Sequence, residues 1–138
     1  MSEIRISVLV RRPAPEVFSR LTNFREWPAW QDGLARASKI SMGPLRAGSQ
    51  VRLIRKGRSP SIGVMEITHM MPSELFGMKG STHNLPWRRQ FALEPVRGGT
   101  RIRLIYEISG SPGIISRLAT RIRLFRELHS FKSLVEAG

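Results

Sequence analysis

The 138-residue chain contains no cysteine, so no disulfide can brace it and no thiolate can ligate a metal or act as a nucleophile. Carboxylates are scarce as well. Nine glutamates and a single aspartate, Asp32, stand against 19 arginines and four lysines, for a net charge of +13. No two carboxylates lie at the close spacing used for paired acid/base work, and His69, His83 and His129 lack the spacing of a metal site. There is no nucleophile elbow, phosphate loop or dinucleotide fingerprint; the glycines read as turn residues. No apolar run reaches eighteen residues, and "MSEIRISVLV" alternates where a signal peptide would be continuously apolar. A cytoplasmic protein with no transmembrane segment, no metal and no cofactor is expected.

What is present is a globular composition, 41% hydrophobic and 24% charged. At this length one core is expected, hence a single domain over residues 1–138. The arginines are scattered, with no block of five or six. That pattern suits an arginine-rich surface of bacterial type better than a nucleic-acid footprint, although a basic module for nucleic acid or an anionic surface stays open as an alternative.

Residues 3–10 alternate, with Ile4, Ile6, Val8 and Val10 on one side, which predicts a strand. "RRPAPEVFSRLTNFREW" then predicts a helix: Pro15 suits its first turn and Val17, Phe18 and Leu21 recur at helical spacing. Pro28 allows at most one further short helix. From about residue 35 to 110 the signals are strand and turn, clearest in "EPVRGGTRIRLIYEIS", where Gly98-Gly99 predicts a hairpin turn. The chain closes on a long helix whose start is marked by Ser111-Pro112. It carries two apolar stripes: Ile115, Leu118, Ile122 and Phe125, and well round from them Leu124, Leu128, Phe131 and Val135. So wide an apolar arc predicts a helix covered on most of one side, and an exposed remainder would suit a homodimer. The order, one strand, short helices, six strands and a long helix, predicts an α+β fold of about seven antiparallel strands curved round the terminal helix.

The pieces "APEVFSRLTNFREWPAW", "GPLRAGSQVRL", "EITHMMPSELF", "FALEPVRGGTRIRL" and "LHSFKSLVEAG" follow one another in a familiar order. Together they resemble the START/polyketide cyclase (SRPBCC) superfamily, whose helix-grip fold is shared with the birch-pollen allergen. The resemblance implies a cavity between sheet and helix for a hydrophobic or aromatic small molecule. It also implies that the segment around Trp30 closes the sheet and borders that cavity, so Trp30 would present a flat apolar wall.

Strand parity adds candidates. If Phe91 and Leu93 point inward, so do Trp87 and Arg89. A guanidinium on a concave apolar face needs a partner, either a protein carboxylate or the carboxylate or phenolate of a ligand. Met65, Ile67 and His69 are expected on one face, with Met78 adding a soft lining. Tyr106 shares its face with Ile102, Leu104 and Ile108 and needs a partner for its hydroxyl. On the helix, Ile122, Phe125 and His129 are expected to reach the cavity, and Arg121, between the stripes, could do likewise. The expected ligand set is therefore Trp30, Met65, Met78, Trp87, Arg89, Phe91, Tyr106, Ile122, Phe125 and His129. The first functional expectation is the binding of a lipid- or polyketide-like molecule. The alternative is a cyclase or dehydratase in which Arg89, Tyr106 or His129 moves a proton; no catalytic residue is singled out by the sequence.

Overall fold

The computed structural model describes residues 2–59, 61–82, 84–110 and 113–138. The elements run β1 (Ser2–Val10), α1 (Ala14–Leu21), α2 (Trp27–Trp30), β2 (Leu34–Lys39), β3 (Gln50–Arg55), β4 (Ser61–Met71), β5 (Leu75–Thr82), β6 (Leu85–Val96), β7 (Gly99–Ile108) and α3 (Ile114–Ala137). Seven strands form one antiparallel sheet in the order β1-β7-β6-β5-β4-β3-β2, and α3 packs against its inner face. This is the helix-grip arrangement anticipated from the order of elements.

Alternation decides the inner face. Ile4, Ile6 and Val8 stand opposite Tyr106, Leu104 and Ile102, and all six are buried. In α1, Val17, Phe18 and Leu21 are buried, and Pro15 sits in the first turn, where its missing N–H is not needed. After a 3₁₀ turn over Phe24–Glu26, Pro28 occupies the same kind of position in α2. The two tryptophans that flank it are held differently. Trp27 donates its indole N–H to the Leu21 carbonyl at 2.9 Å. Trp30 packs edge-on against Phe91 and Phe131, at centroid distances of 6.4 and 5.1 Å.

Three local expectations differ from the structure. The β6–β7 loop is Arg97-Gly98, with Val96 paired to Gly99. Gly98 has φ +88°, which favours glycine. Gly99 is glycine for another reason: a Cβ there would collide with the Val10 carbonyl oxygen. In β4 the register slips between Ile67 and His69, a bulge that places two consecutive residues on one face. Ile67 stays inside opposite Met78, while His69 turns outward beside Gly77. The expectation that His69 shares a face with Met65 and Ile67 is therefore overturned.

The third concerns α3. Its buried residues are Leu124, Glu127, Leu128, Phe131 and Val135; the stripe of Ile115, Leu118, Ile122 and Phe125 is exposed. The sheet takes the stripe in the C-terminal half because that half is tied to β1. Lys132 Nζ donates to the Leu9 carbonyl at 2.6 Å, and the Arg11 backbone N–H donates to Glu136 Oε2 at 2.8 Å. Once Phe131 and Val135 point inward, the 3.6-residue period turns Ile122 and Phe125 outward. The expected helix start at Ser111-Pro112, like His83, lies outside the described residues.

Candidate functional site

Between α3 and the strands β3 to β7 lies a cavity of about 210 Å³. Alternation on β6 points Trp87 and Arg89 into it, and the neighbouring positions bring Met78 of β5 and Tyr106 of β7 alongside, since Arg89 pairs with both. Met65 adds to the wall from β4, Trp27 and Gln31 border the cavity from the α2 end, and Glu127 faces it from α3. Arg55, Asp32 and Arg123 stand where the lining meets solvent. Two cations against one anion give that rim a net positive field.

The polar groups inside are unusual in being left without partners. Arg89 Nε, Gln31 Nε2 and Glu127 Oε2 are sealed from solvent and have no hydrogen-bond partner among the described residues. Buried polar atoms are otherwise paired as a rule. Cavity space still touches part of Arg89, so the residue keeps intermediate accessibility, yet protein surrounds its guanidinium. The guanidinium lies over two aromatic rings, 5.9 Å from the Trp87 centroid and 5.3 Å from that of Tyr106, and those rings are themselves stacked at 6.4 Å. Their π-faces favour the cation, whereas burial pulls its pKa down, opposed first by the field of Glu127. Burial in turn pushes the Glu127 carboxyl above the ordinary carboxylate range, with Arg89 and then Arg123 pulling it back. Cation and carboxyl thus face one small space with hydrogen-bonding capacity unused.

Of the residues expected from sequence, Met65, Met78, Trp87, Arg89 and Tyr106 line this cavity. Trp30 and Phe91 do not; they are spent on each other and on Phe131 in the aromatic core. Ile122 and Phe125 are on the outer side of α3, as its buried face requires, and the His129 ring rests on Phe125 at 4.2 Å, away from the cavity. Arg121 is exposed and is not part of the lining. Trp27, Gln31, Arg123 and Glu127 were missed. Glu127 carried a readable signal, since it stands three residues after Leu124 and four before Phe131, an acid in the phase of a buried stripe. A larger open groove of about 410 Å³ on the convex face is bordered by Glu66, Lys79, Arg88 and Glu107; none of the unpartnered buried atoms lines it.

Residues 1–136 match the family described as polyketide cyclase / dehydrase and lipid transport. No curated protein matches the chain. Solved structures of similar shape include Ara h 8.0201, with TM-score 0.81, 10% identity and 99% of each chain covered. The Zhui aromatase/cyclase from Streptomyces has TM-score 0.78 and 11% identity, over 98% of this chain and 93% of that one. A Thermus thermophilus protein has TM-score 0.78 and 11% identity, over 99% and 98% of the two chains. At such identities these likenesses concern the fold, whereas the family match spans nearly the whole sequence: the chain belongs to the polyketide cyclase / dehydrase and lipid transport family.

Proposed function

We propose that the cavity between sheet and α3 binds one compact aromatic or otherwise flat apolar molecule that carries an acidic oxygen, such as a carboxylate or phenolate. The observation that carries this reading is Arg89, a charged guanidinium at a sheltered apolar wall whose Nε has no partner among the described residues. An acidic oxygen would accept from Arg89 and from Gln31, while a second polar group of the ligand would meet Glu127. Trp27, Trp87, Met65 and Met78 supply flat and adaptable apolar contacts. The volume of about 210 Å³ lies below the range of roughly 300–1,000 Å³ typical of drug-sized pockets. One or two fused rings suit it better than a long acyl chain.

The test is native mass spectrometry of the freshly purified protein with denaturing extraction, followed by thermal melts with 2-naphthoate. A co-purified aromatic acid or phenol is expected, or failing that a rise in Tm with the probe. At about one hundred times Kd the stabilisation is about 2.7 kcal/mol, or about 10 °C for a domain of this size. An apo mass with no Tm shift from any aryl carboxylate or phenol would remove the reading.

Glu127 supports a second reading, a cyclase- or dehydratase-type activity. As a carboxylate made more basic by burial, Glu127 can take a proton from a carbon next to a carbonyl, and Arg89 can hold the negative oxygen of the resulting enolate. Attack of that enolate carbon on a second carbonyl of the same substrate gives an alkoxide that recovers the proton from Glu127. Glu127→Gln should then abolish turnover of a di- or triketide aryl substrate while leaving its binding within a few-fold. Equal turnover by the variant would dismiss this reading and leave binding alone.

A further inference from the structure

The outward stripe of α3 is not explained by the cavity. Ile114, Ile115, Leu118, Ile122 and Phe125 are 88, 85, 57, 50 and 49% exposed, so five large apolar side chains in twelve residues face solvent. Soluble surfaces seldom show contiguous patches of this kind without a partner. Leu85, also exposed, lies at the same end of the molecule: the Ser109 N–H donates to the Pro86 carbonyl at 3.0 Å, four residues before the Gly113 cap of α3.

Charge identifies the partner. Residues 114–126 hold Arg117, Arg121, Arg123 and Arg126 and no acid, and all four arginines are exposed. At about 100° per residue, Arg121 falls on one flank of the stripe and Arg126 on the other. Among the described residues no helix is long and apolar enough to cross a membrane. An apolar stripe about 15 Å long, edged by arginines, is instead the pattern of a helix that lies in a bilayer surface. We infer that the N-terminal half of α3 docks this protein onto anionic lipid bilayers, with Ile115, Leu118, Ile122 and Phe125 inserted and Arg121 and Arg126 against lipid phosphates. A second copy of the chain fits less well. An isologous pair would bring the same arginines of two molecules, each of charge +13, face to face.

The experiment is co-sedimentation of the full chain with vesicles of phosphatidylcholine alone and of phosphatidylcholine with phosphatidylglycerol. Binding only to the anionic vesicles, weakening as salt rises, is expected. Ile122→Ser with Phe125→Ser keeps the charge and should weaken binding by about tenfold or more through lost apolar burial, with little change in Tm. Arg121→Gln with Arg126→Gln should weaken it too and flatten the salt dependence. Equal binding to both vesicle types, or undiminished binding by the double serine variant, overturns the inference. So does absence of vesicle binding, whether the protein is monomeric or forms a dimer that the serine variant dissociates. No cavity ligand is needed, so failure here leaves the proposed function standing.

Discussion

Replacing Arg89 by methionine separates a ligand-gripping arginine from a structural one. Removing a guanidinium from water costs several kcal/mol even after relaxation. Against that the protein offers the faces of Trp87 and Tyr106, worth about 0.5–2 kcal/mol each, and the field of Glu127, whose own carboxyl burial raises. Methionine fills most of the stem's path and needs no polar partner. With the cation gone, Glu127 loses the main field that opposes the upward push of burial, which favours its protonated form and limits the cost of leaving it without a cation. The free variant should therefore be as stable as the parent or up to about 2 kcal/mol more so, a Tm change of zero to about +8 °C. Affinity for an aryl carboxylate should fall by about 10- to 150-fold, the worth of hydrogen bonds to a charged group, about 1.5–3 kcal/mol. Calorimetry with 2-naphthoate and its neutral analogue 2-naphthamide measures both quantities. The parent should prefer the carboxylate and Arg89→Met should not distinguish the two. A Tm fall of more than about 5 °C, beyond about 1 kcal/mol, would mean that the guanidinium holds the sheet together and that its role has been misread.

Glu127 has a folded pKa above its unfolded one, so its contribution to stability is complete below the ordinary carboxylate range and is lost as pH rises through the raised value. The Tm of Glu127→Gln relative to the parent should accordingly increase from acid to neutral pH, and thermal melts across that range should not run parallel. Glu26 has the opposite sign: the hydrogen bonds from Arg20, at 2.8 and 2.7 Å, hold it below the usual range. Its stabilisation is present above the unfolded pKa and lost as pH falls through the folded one, so Arg20→Met should cost about 1 kcal/mol at neutral pH and progressively less in acid. Gly99→Ala should destabilise by about 2 kcal/mol or more by forcing a Cβ onto the Val10 carbonyl; an unchanged denaturation midpoint would show that the β1–β7 edge yields freely.

The sheet was legible because its inner face is written in period two. Ile102, Leu104 and Tyr106 on β7 and Trp87, Arg89, Phe91 and Leu93 on β6 need no tertiary information to be placed on one side. Parity failed only at the β4 bulge, where an extra residue beside Gly77 turns His69 outward. The helix was harder. Its two apolar stripes compete on equal terms in the sequence, and the choice between them is made by Lys132 and Glu136 anchoring to β1, contacts a hundred or more residues apart. That one choice misplaced Ile122, Phe125 and His129 and hid Glu127, the carboxyl opposite Arg89. Likewise Trp27 and Trp30 are indistinguishable by composition; which one borders the cavity depends on how α2 meets Phe91 and Phe131.

The central claim is that Arg89 Nε is a donor left unfilled among the described residues. It is tested most directly by following the arginine Nε–Hε correlations in an NMR titration with 2-naphthoate, assigning Arg89 as the resonance lost in Arg89→Met. A saturable downfield movement of the Arg89 Hε proton is expected as it gains a carboxylate acceptor. Movement confined to exposed arginines, with the Arg89 resonance fixed throughout, would contradict it.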